Sequence, residues 1–450
     1  MASTYLHSTM SSGDLDKWTL SVWVKRTKLG ANQRIITVSD NSSYDDNLRF
    51  DANDCLVFIY NNQNCILTRR QFRDCTGWMH ICLKVDAGQA SANDRVVLYI
   101  NGVDERTQAG YSTDAMPAQN QNGYINKNVQ HVIGMTNPTA ASNHFDGLMS
   151  HYHFTDGYAY TASSFGSTDS TTGEWKITTS PSVTYGTNGF WILKDGYSLS
   201  DQSSNSNDFT LGGGTLTKTE DNPSNNFATL STEVVPANSG VGSSNGGNEF
   251  GTSAAQWHTE KSHFGVSSGK WYFEVKMLNN GGGDRRFRWG FQKEEFLNVS
   301  GNNSVIGGSG QSAVCFYTGG HPSGPGGYEI AETGTTLSGS PDINTDNAIF
   351  GFALYLYNLK MYGHMSGTWF NSANPNTPTG GIDISSHVSA GDTLFPVFTT
   401  HLSTVQINFG NGYTGTSAVS SAGTNASGLG IFEYDVPTGY TALCTKGLNE

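Results

Sequence analysis

Helical pattern is what this sequence lacks most. No window of its 450 residues sustains a 3.6-residue apolar period. The best candidate is a single turn at Thr161-Ala162-Ser163-Ser164-Phe165, with Thr161 placed to cap it. No heptad repeat runs anywhere, which excludes a coiled-coil stalk within the chain. Charge is sparse too. Only 14% of residues are charged, the formal net charge is −13, and no Lys/Arg run exceeds two. Nucleic-acid binding needs a basic face to offset phosphates, and none is supplied. Anionic membranes are disfavoured for the same reason, and no apolar run approaches the roughly 18 residues of a membrane span. Met1-Ala2-Ser3-Thr4-Tyr5 has neither a basic nor an apolar leader segment, so synthesis in a cytoplasm is expected.

Cysteine is scarce as well. Six in 450 residues cannot staple a chain of this length, and the absence of a C-x-x-C pair excludes a zinc ribbon. Free thiols are expected, although the spacing of Cys55, Cys65 and Cys75 leaves room for one cross-strand bridge. Catalytic motifs are missing. There is no G-x-S-x-G elbow, no H-E-x-x-H and no Walker loop. Glycan hydrolases need paired carboxylates at fixed separation. The usual strand motif of three alternating acids is absent: Glu433-Tyr434-Asp435 runs on into Val436-Pro437-Thr438. Gly281-Gly282-Gly283 lacks the strand-to-helix setting of a phosphate cradle. No enzyme activity and no required cofactor are expected.

What is present is alternation. Every odd position of Met79-His80-Ile81-Cys82-Leu83-Lys84-Val85-Asp86 is apolar, which puts the apolar four on one face of a strand. Val96, Leu98 and Ile100 repeat the pattern before an Asn101-Gly102 turn signal. Trp271, Phe273, Val275 and Met277 line one strand face, as do Val405, Ile407 and Phe409. The 54 glycines suit tight turns, and 12% aromatic content is too high for a disordered chain. The expected fold class is all-β: two antiparallel β-sandwich, jelly-roll-like domains joined by a β-containing linker. The expected division is 1–165, a linker with short strands over 166–235, of which 189–230 either closes the first sandwich or opens the second, and 236–450.

The first part resembles the laminin-G-like, concanavalin-type jelly roll. The matching pieces come in family order: Trp18 to Lys25, Gly77-Trp78-Met79-His80-Ile81, Val97 to Gly102, and Phe145-Asp146-Gly147-Leu148 continuing to Ser163. The last 200 residues resemble an SPRY domain. The carriers are Ser268 to Val275, Trp289-Gly290-Phe291, Phe350 to Leu354, Gly367 to Asn371, Leu394 to Val397, and Asn408-Phe409-Gly410. Tyr355 departs from the acidic residue that family carries there. A laminin-G-like sandwich, then Tyr185-Gly186-Thr187-Asn188-Gly189-Phe190, then an SPRY-like sandwich resembles structural proteins of tailed bacteriophages, especially marine ones. The closing stretch Tyr434 to Thr445 is similar to the ending of that group. The resemblance implies a virion surface protein of tail-fibre or appendage type that attaches to host surface polysaccharide. The alternative is a head decoration, vertex fibre or fibre segment that binds other virion proteins. A homo-oligomer is implied in either case, a trimer being one form of it.

Sugar sites use exposed aromatics that stack on pyranose faces, beside groups that bond hydroxyls. Candidates in loops are Tyr44, Asp45 and Asp46 in the first domain, and Trp257, His258, Tyr317, His321 and Tyr328 in the second. The bland alternative is local packing under loops. Trp18, Trp23, Trp78, Trp271, Trp289 and Trp369 are assigned to core or hairpin packing. Calcium is a further candidate, because Asp40, Asp45, Asp46 and Asp51 cluster in sequence; a solvated acidic loop is the simpler reading. His151-Tyr152-His153 puts two imidazoles on one strand face, which could hold a metal only around a symmetry axis. Otherwise the two are ordinary surface histidines.

Overall fold

The computed structural model describes residues 4–39, 45–112, 115–136, 141–194, 198–230, 243–251, 257–278, 286–294, 306, 313–318, 327–330, 333–337 and 347–449. The chain divides into two compact units: 1–218 with 222–224, and 219–221 with 225–450. Both are β-sandwiches of antiparallel sheets, as the alternation predicts.

In the first unit the eight-stranded sheet runs Tyr111–Ser112, Gln63–Thr68, Leu56–Tyr60, Asp45–Phe50, Gln33–Ser39, Gln130–Ile133, Tyr5–Thr9, Thr210–Gly213. The six-stranded sheet runs Phe190–Ile192, Gly147–Asp156, Lys17–Arg26, Met79–Asp86, Val96–Ile100, Val103–Asp104. Trp18, Leu20, Val22 and Val24 meet Ile81, Leu83 and Val85 in one core. The Asn101-Gly102 signal forms the expected hairpin, with both φ positive at 47° and 79°. The Thr161 turn is a 3-10 helix over Ala162–Ser164, but Thr161 makes no side-chain cap bond.

Residues 166–213, expected as linker, are built into the first unit. Phe190–Ile192 pairs with Gly147–Asp156, and Thr210–Gly213 pairs with Tyr5–Thr9. The Tyr185-to-Phe190 motif has a physical role there. Asp156 Oδ1 accepts from the Asp14 N–H (2.8 Å) and from Asn126 Nδ2 (2.6 Å), and its Oδ2 accepts from the Asn188 N–H (3.0 Å). Asn188 Nδ2 donates in turn to Asn126 Oδ1 at 2.7 Å. Gly186, at φ 71°, lies so close to the Asp156 carbonyl that a Cβ would collide with it.

Residues 158–185 add a third layer. Ala162 and Phe165, with Tyr160, Trp175 and Val183 packed beside them, cover Cys82 and Tyr99 on the outer face of the six-stranded sheet. That cover explains why nearly every residue of Lys17–Arg26 is buried, on both faces.

The second unit has an eight-stranded sheet with the path Glu249–Gly251, Thr404–Asn408, Lys270–Leu278, Ile349–Tyr355, Lys360–Met365, Thr368–Trp369. Its partner sheet runs Trp257–Lys261, Leu394–His401, Arg286–Lys293, Ala313–Tyr317, Gly327–Ile330, Thr333–Thr336. Phe273 is the hub of the core, stacked on Phe352 at 5.4 Å and within 5.8 Å of Phe291, Phe398 and Phe409. The closing segment lies over the outer face of the eight-stranded sheet. Phe432, Val436, Tyr440 and Ala442 pack on Tyr272 and Tyr362, and Thr441–Ala442 pairs parallel with Lys270–Leu278. Glu274 pins this segment by accepting the Glu433 and Tyr434 N–H groups, both at 2.9 Å.

All six cysteines are thiols, so the bridge that the 55/65/75 spacing allowed is not formed. Five are buried, and burial pushes the Cys65 thiol up to about 12. Thiolate, not thiol, reacts. A maleimide should therefore label the native protein slowly and at Cys55 alone, and label all six sites after unfolding. Fast labelling of Cys82 in the native state would contradict the third layer.

Candidate functional site

The outer face of the second unit's six-stranded sheet gathers cation and aromatic side chains. Register sets this up. Trp257 lies opposite His401, Thr259 opposite Thr399, and Arg288 between Thr399 and Tyr317. Alternation then turns Trp257, Thr259, Thr399, His401, Arg288 and Tyr317 to one side, while Phe287, Trp289, Phe316 and Phe398 enter the core. The Arg288 guanidinium carbon lies 5.9 Å from the Trp257 ring centroid and 5.5 Å from that of Tyr317. Trp257 also meets the His401 ring at 5.1 Å. Arg288 Nη1 donates to the Ile306 carbonyl at 2.8 Å, which fixes the fork. The Thr259 and Thr399 hydroxyls bond each other at 2.7 Å beside it.

This arrangement has clear chemical capacity. A planar cation flanked by two rings presents stacking surface and charge together. Trp257, Arg288 and Tyr317 are each half-buried. The site could take a ring with polar substituents, a sugar above all.

Of the second-domain candidates named from sequence, Trp257 and Tyr317 come together across Arg288. His258 lies on the opposite face of its strand and is buried, which lowers its basicity. Tyr328 packs against the core. His321 lies outside the described residues. Arg288 and His401 were not singled out from sequence. A signal was available: in Arg286-Phe287-Arg288-Trp289-Gly290-Phe291 the aromatics alternate with polar positions, so Arg288 must face outward if Trp289 is core.

The first-domain candidates do not converge. Tyr44 and Asp40 lie outside the described residues. Asp45 pairs with Arg34 at 3.4 Å. Asp46 is fully buried, where it accepts the N–H groups of Asn61, Tyr124 and Ile125. Asp51 Oδ1 accepts from Asn53 and Cys55 N–H within its own turn, both at 2.9 Å. Asp45, Asp46 and Asp51 are therefore structural anchors rather than a shared set of calcium ligands. Among the described residues no group of three or more His, Cys, Asp or Glu is disposed to hold a metal.

The histidine pair also departs from expectation. A bulge at His151 (φ 48°) brings the two rings to 6.4 Å. His153 is not at the surface: it is 2% exposed, stacked on Trp191 at 4.9 Å, and its Nδ1 bonds the Tyr185 hydroxyl at 2.9 Å. A chelate around a symmetry axis would need both imidazoles accessible, and one is sealed inside the fold. The sequence reading missed the third layer that seals it.

Ser21 Oγ lies 2.8 Å from His80 Nε2. His80 Nδ1, however, accepts from the Trp175 indole N–H at 3.1 Å. The neutral ring thus carries its proton on Nε2, facing the serine, and cannot act there as its base. Burial pushes His80 down to about 3, so the ring stays neutral.

Residues 2–164 match the concanavalin A-like lectin/glucanases superfamily, in agreement with the motif order in the first unit. No curated protein matches the chain. Among solved structures, the SPRY domain of human HERC1 is similar at a TM-score of 0.28 and 14% identity, over 40% of this chain and 96% of that one.

Proposed function

We propose that this chain is a structural protein of a tailed-bacteriophage virion, of fibre or appendage type, that attaches to host surface glycan. The Trp257–Arg288–Tyr317 group carries the binding half of this reading, because stacking surface, charge and hydroxyls coincide there. The match of residues 2–164 to a superfamily of lectins and glucanases supports carbohydrate recognition in the first unit. The virion half rests on the order of motifs: laminin-G-like sandwich, Tyr185-to-Phe190 segment, SPRY-like sandwich. The role is binding rather than hydrolysis, and its partners are polysaccharide and other virion proteins.

The test is a glycan array probed with the purified full-length chain. Binding is expected, and Trp257→Ala should weaken it about tenfold or more, the loss of one stacking platform. Arg288→Gln should do the same and also flatten the dependence on salt. A blank array, paired with retention on isolated capsids or tails, would replace the attachment role with a purely structural one. Release of reducing ends from a bound polysaccharide would make the protein a hydrolase instead.

A further inference from the structure

A second cation–aromatic group lies on the opposite outer face of the same sandwich, at the hairpin Ile349–Tyr355 to Lys360–Met365. Lys270, Tyr355 and Lys360 form one row of the sheet, so their side chains share its outer side. The Lys270 ammonium lies 4.5 Å from the Tyr355 ring centroid and 5.5 Å from that of Tyr440. Among the described residues, rings rather than a carboxylate hold it. Lys360 differs, since it stands opposite Asp383 in the next strand.

Tyr357 sits in the four-residue turn of this hairpin and is 70% exposed, more than any other large hydrophobic among the described residues. Its ring meets Tyr355 edge-on at 6.2 Å, which fixes it without covering it. Tyr440 and Tyr362, each 1% exposed, form the packed floor beneath it.

We propose that this corner binds an acidic sugar, with a pyranose face on Tyr357 and the sugar carboxylate at Lys270. Charge argues for the acid. The chain carries a net charge of −13 and repels anions in general, so an acidic ligand needs a local cation that no carboxylate already occupies. Lys270 is that cation, held in place by two rings. The inference rests on the glycan-binding reading and names a substrate class within it.

The probes are α-1,4-trigalacturonate and its fully methyl-esterified form, titrated calorimetrically into the full-length chain. The acid should bind, and the ester should bind about tenfold more weakly because it keeps the ring faces and loses the charge. Tyr357→Ala and Lys270→Gln should each weaken the acid by about tenfold. Both positions are at the surface, so an unchanged unfolding temperature will show that the variants fold. Trp257→Ala should leave this binding intact. Equal affinity of wild type, Y357A and K270Q for the acid would overturn the corner site. So would loss of binding in W257A alone, which leaves glycan attachment standing at the other face. If neutral glycans bind on the array and trigalacturonate does not, only the corner falls. If no saccharide of either kind binds, both readings fall.

Discussion

Lowering the pH from 6.5 to 5 is expected to remove about 4 kcal/mol from the stability of the first unit and to leave the second nearly unchanged. The first unit buries three neutral histidines. Burial pushes His80 down to about 3 and His131 to about 4, and holds His153 well below its ordinary 6.5. Two of them, His80 and His131, use a ring nitrogen as an acceptor that protonation would spoil. His80 Nδ1 accepts from Trp175, and His131 Nε2 accepts the Asn126 N–H at 2.8 Å while its Nδ1–H donates to the Val129 carbonyl. A histidine held below its unfolded value contributes stability that is complete above pH 6.5 and is lost as pH falls toward the folded value. Asp46 opposes this. Burial raises it to about 6, so the folded state takes up that proton before the unfolded chain does.

The three histidines against Asp46 leave about two protons of difference near pH 5, each about 1.4 kcal/mol per pH unit, with smaller contributions of opposite sign from His144, held down by burial, and from Asp16 and Glu105, raised by it. In the second unit the opposing groups balance. Burial lowers His364 to about 3 and also lowers His258, while it raises Glu260 to about 8 and Glu274 to about 7. Hydrogen exchange read by mass spectrometry separates the units peptide by peptide. Protection should fall between pH 6.5 and 5 in residues 17–26 and 79–86 and persist in 270–278. Parallel loss in both units would defeat the argument.

Asp156→Ala should destabilise the first unit by about 4 kcal/mol, because it strands two buried donors and a third that is part-buried. The donors are the Asp14 N–H, the Asn188 N–H and Asn126 Nδ2. Asn126 is itself fully buried, so nothing outside can replace the lost carboxylate. Asp156→Asn should cost less, about 2 kcal/mol, since one oxygen remains while the new NH2 faces a donor. Denaturant unfolding followed by the exchange of first-unit peptides measures both. A loss under about 1 kcal/mol for D156A would mean that the node is wetter than described.

These two cases show where sequence reasoning reached and where it stopped. Strands such as Met79–Asp86 and Lys270–Leu278 were legible because one face enters a core of large apolar side chains, and a period of two records that directly. The same rule placed His80 and His153 on a polar face, which is correct. It could not show that a second layer covers that face, because residues 158–185 carry no alternation to announce them. Asn188 was visible only as part of a family-like string. Its bonds to Asn126 and Ser11 join segments that are far apart in sequence, and no local pattern encodes such a meeting. Trp257 and Tyr317 were found because exposed aromatics are conspicuous. Arg288, which lies between them, was not, since an arginine at a polar position of an alternating strand is ordinary. Asp45, Asp46 and Asp51 were grouped by proximity in sequence, yet adjacent strand positions point apart, and each carboxylate has its own partners: Arg34 for Asp45, three backbone N–H groups for Asp46, and its own turn for Asp51.

The pairing of Thr441–Ala442 with Lys270–Leu278 has a bearing on how the protein is made. Ala228 donates its N–H to the Leu443 carbonyl at 2.8 Å, and Phe227 bridges to Cys444, so the opening and closing segments of the second unit are fastened to each other. During synthesis the opening segment waits for more than 200 residues before its neighbours exist. At ordinary elongation rates of about 5–20 residues per second this is a delay of roughly 10–40 seconds. Once made, Tyr272, Glu274 and Tyr362 have no cover until residues 432–442 follow. The first unit can close while the ribosome is still at work, whereas the second completes only once residue 445 has emerged. The exposed sheet face of the nascent second unit is therefore the surface most open to a chaperone, or to a neighbouring copy assembling on the same polysome.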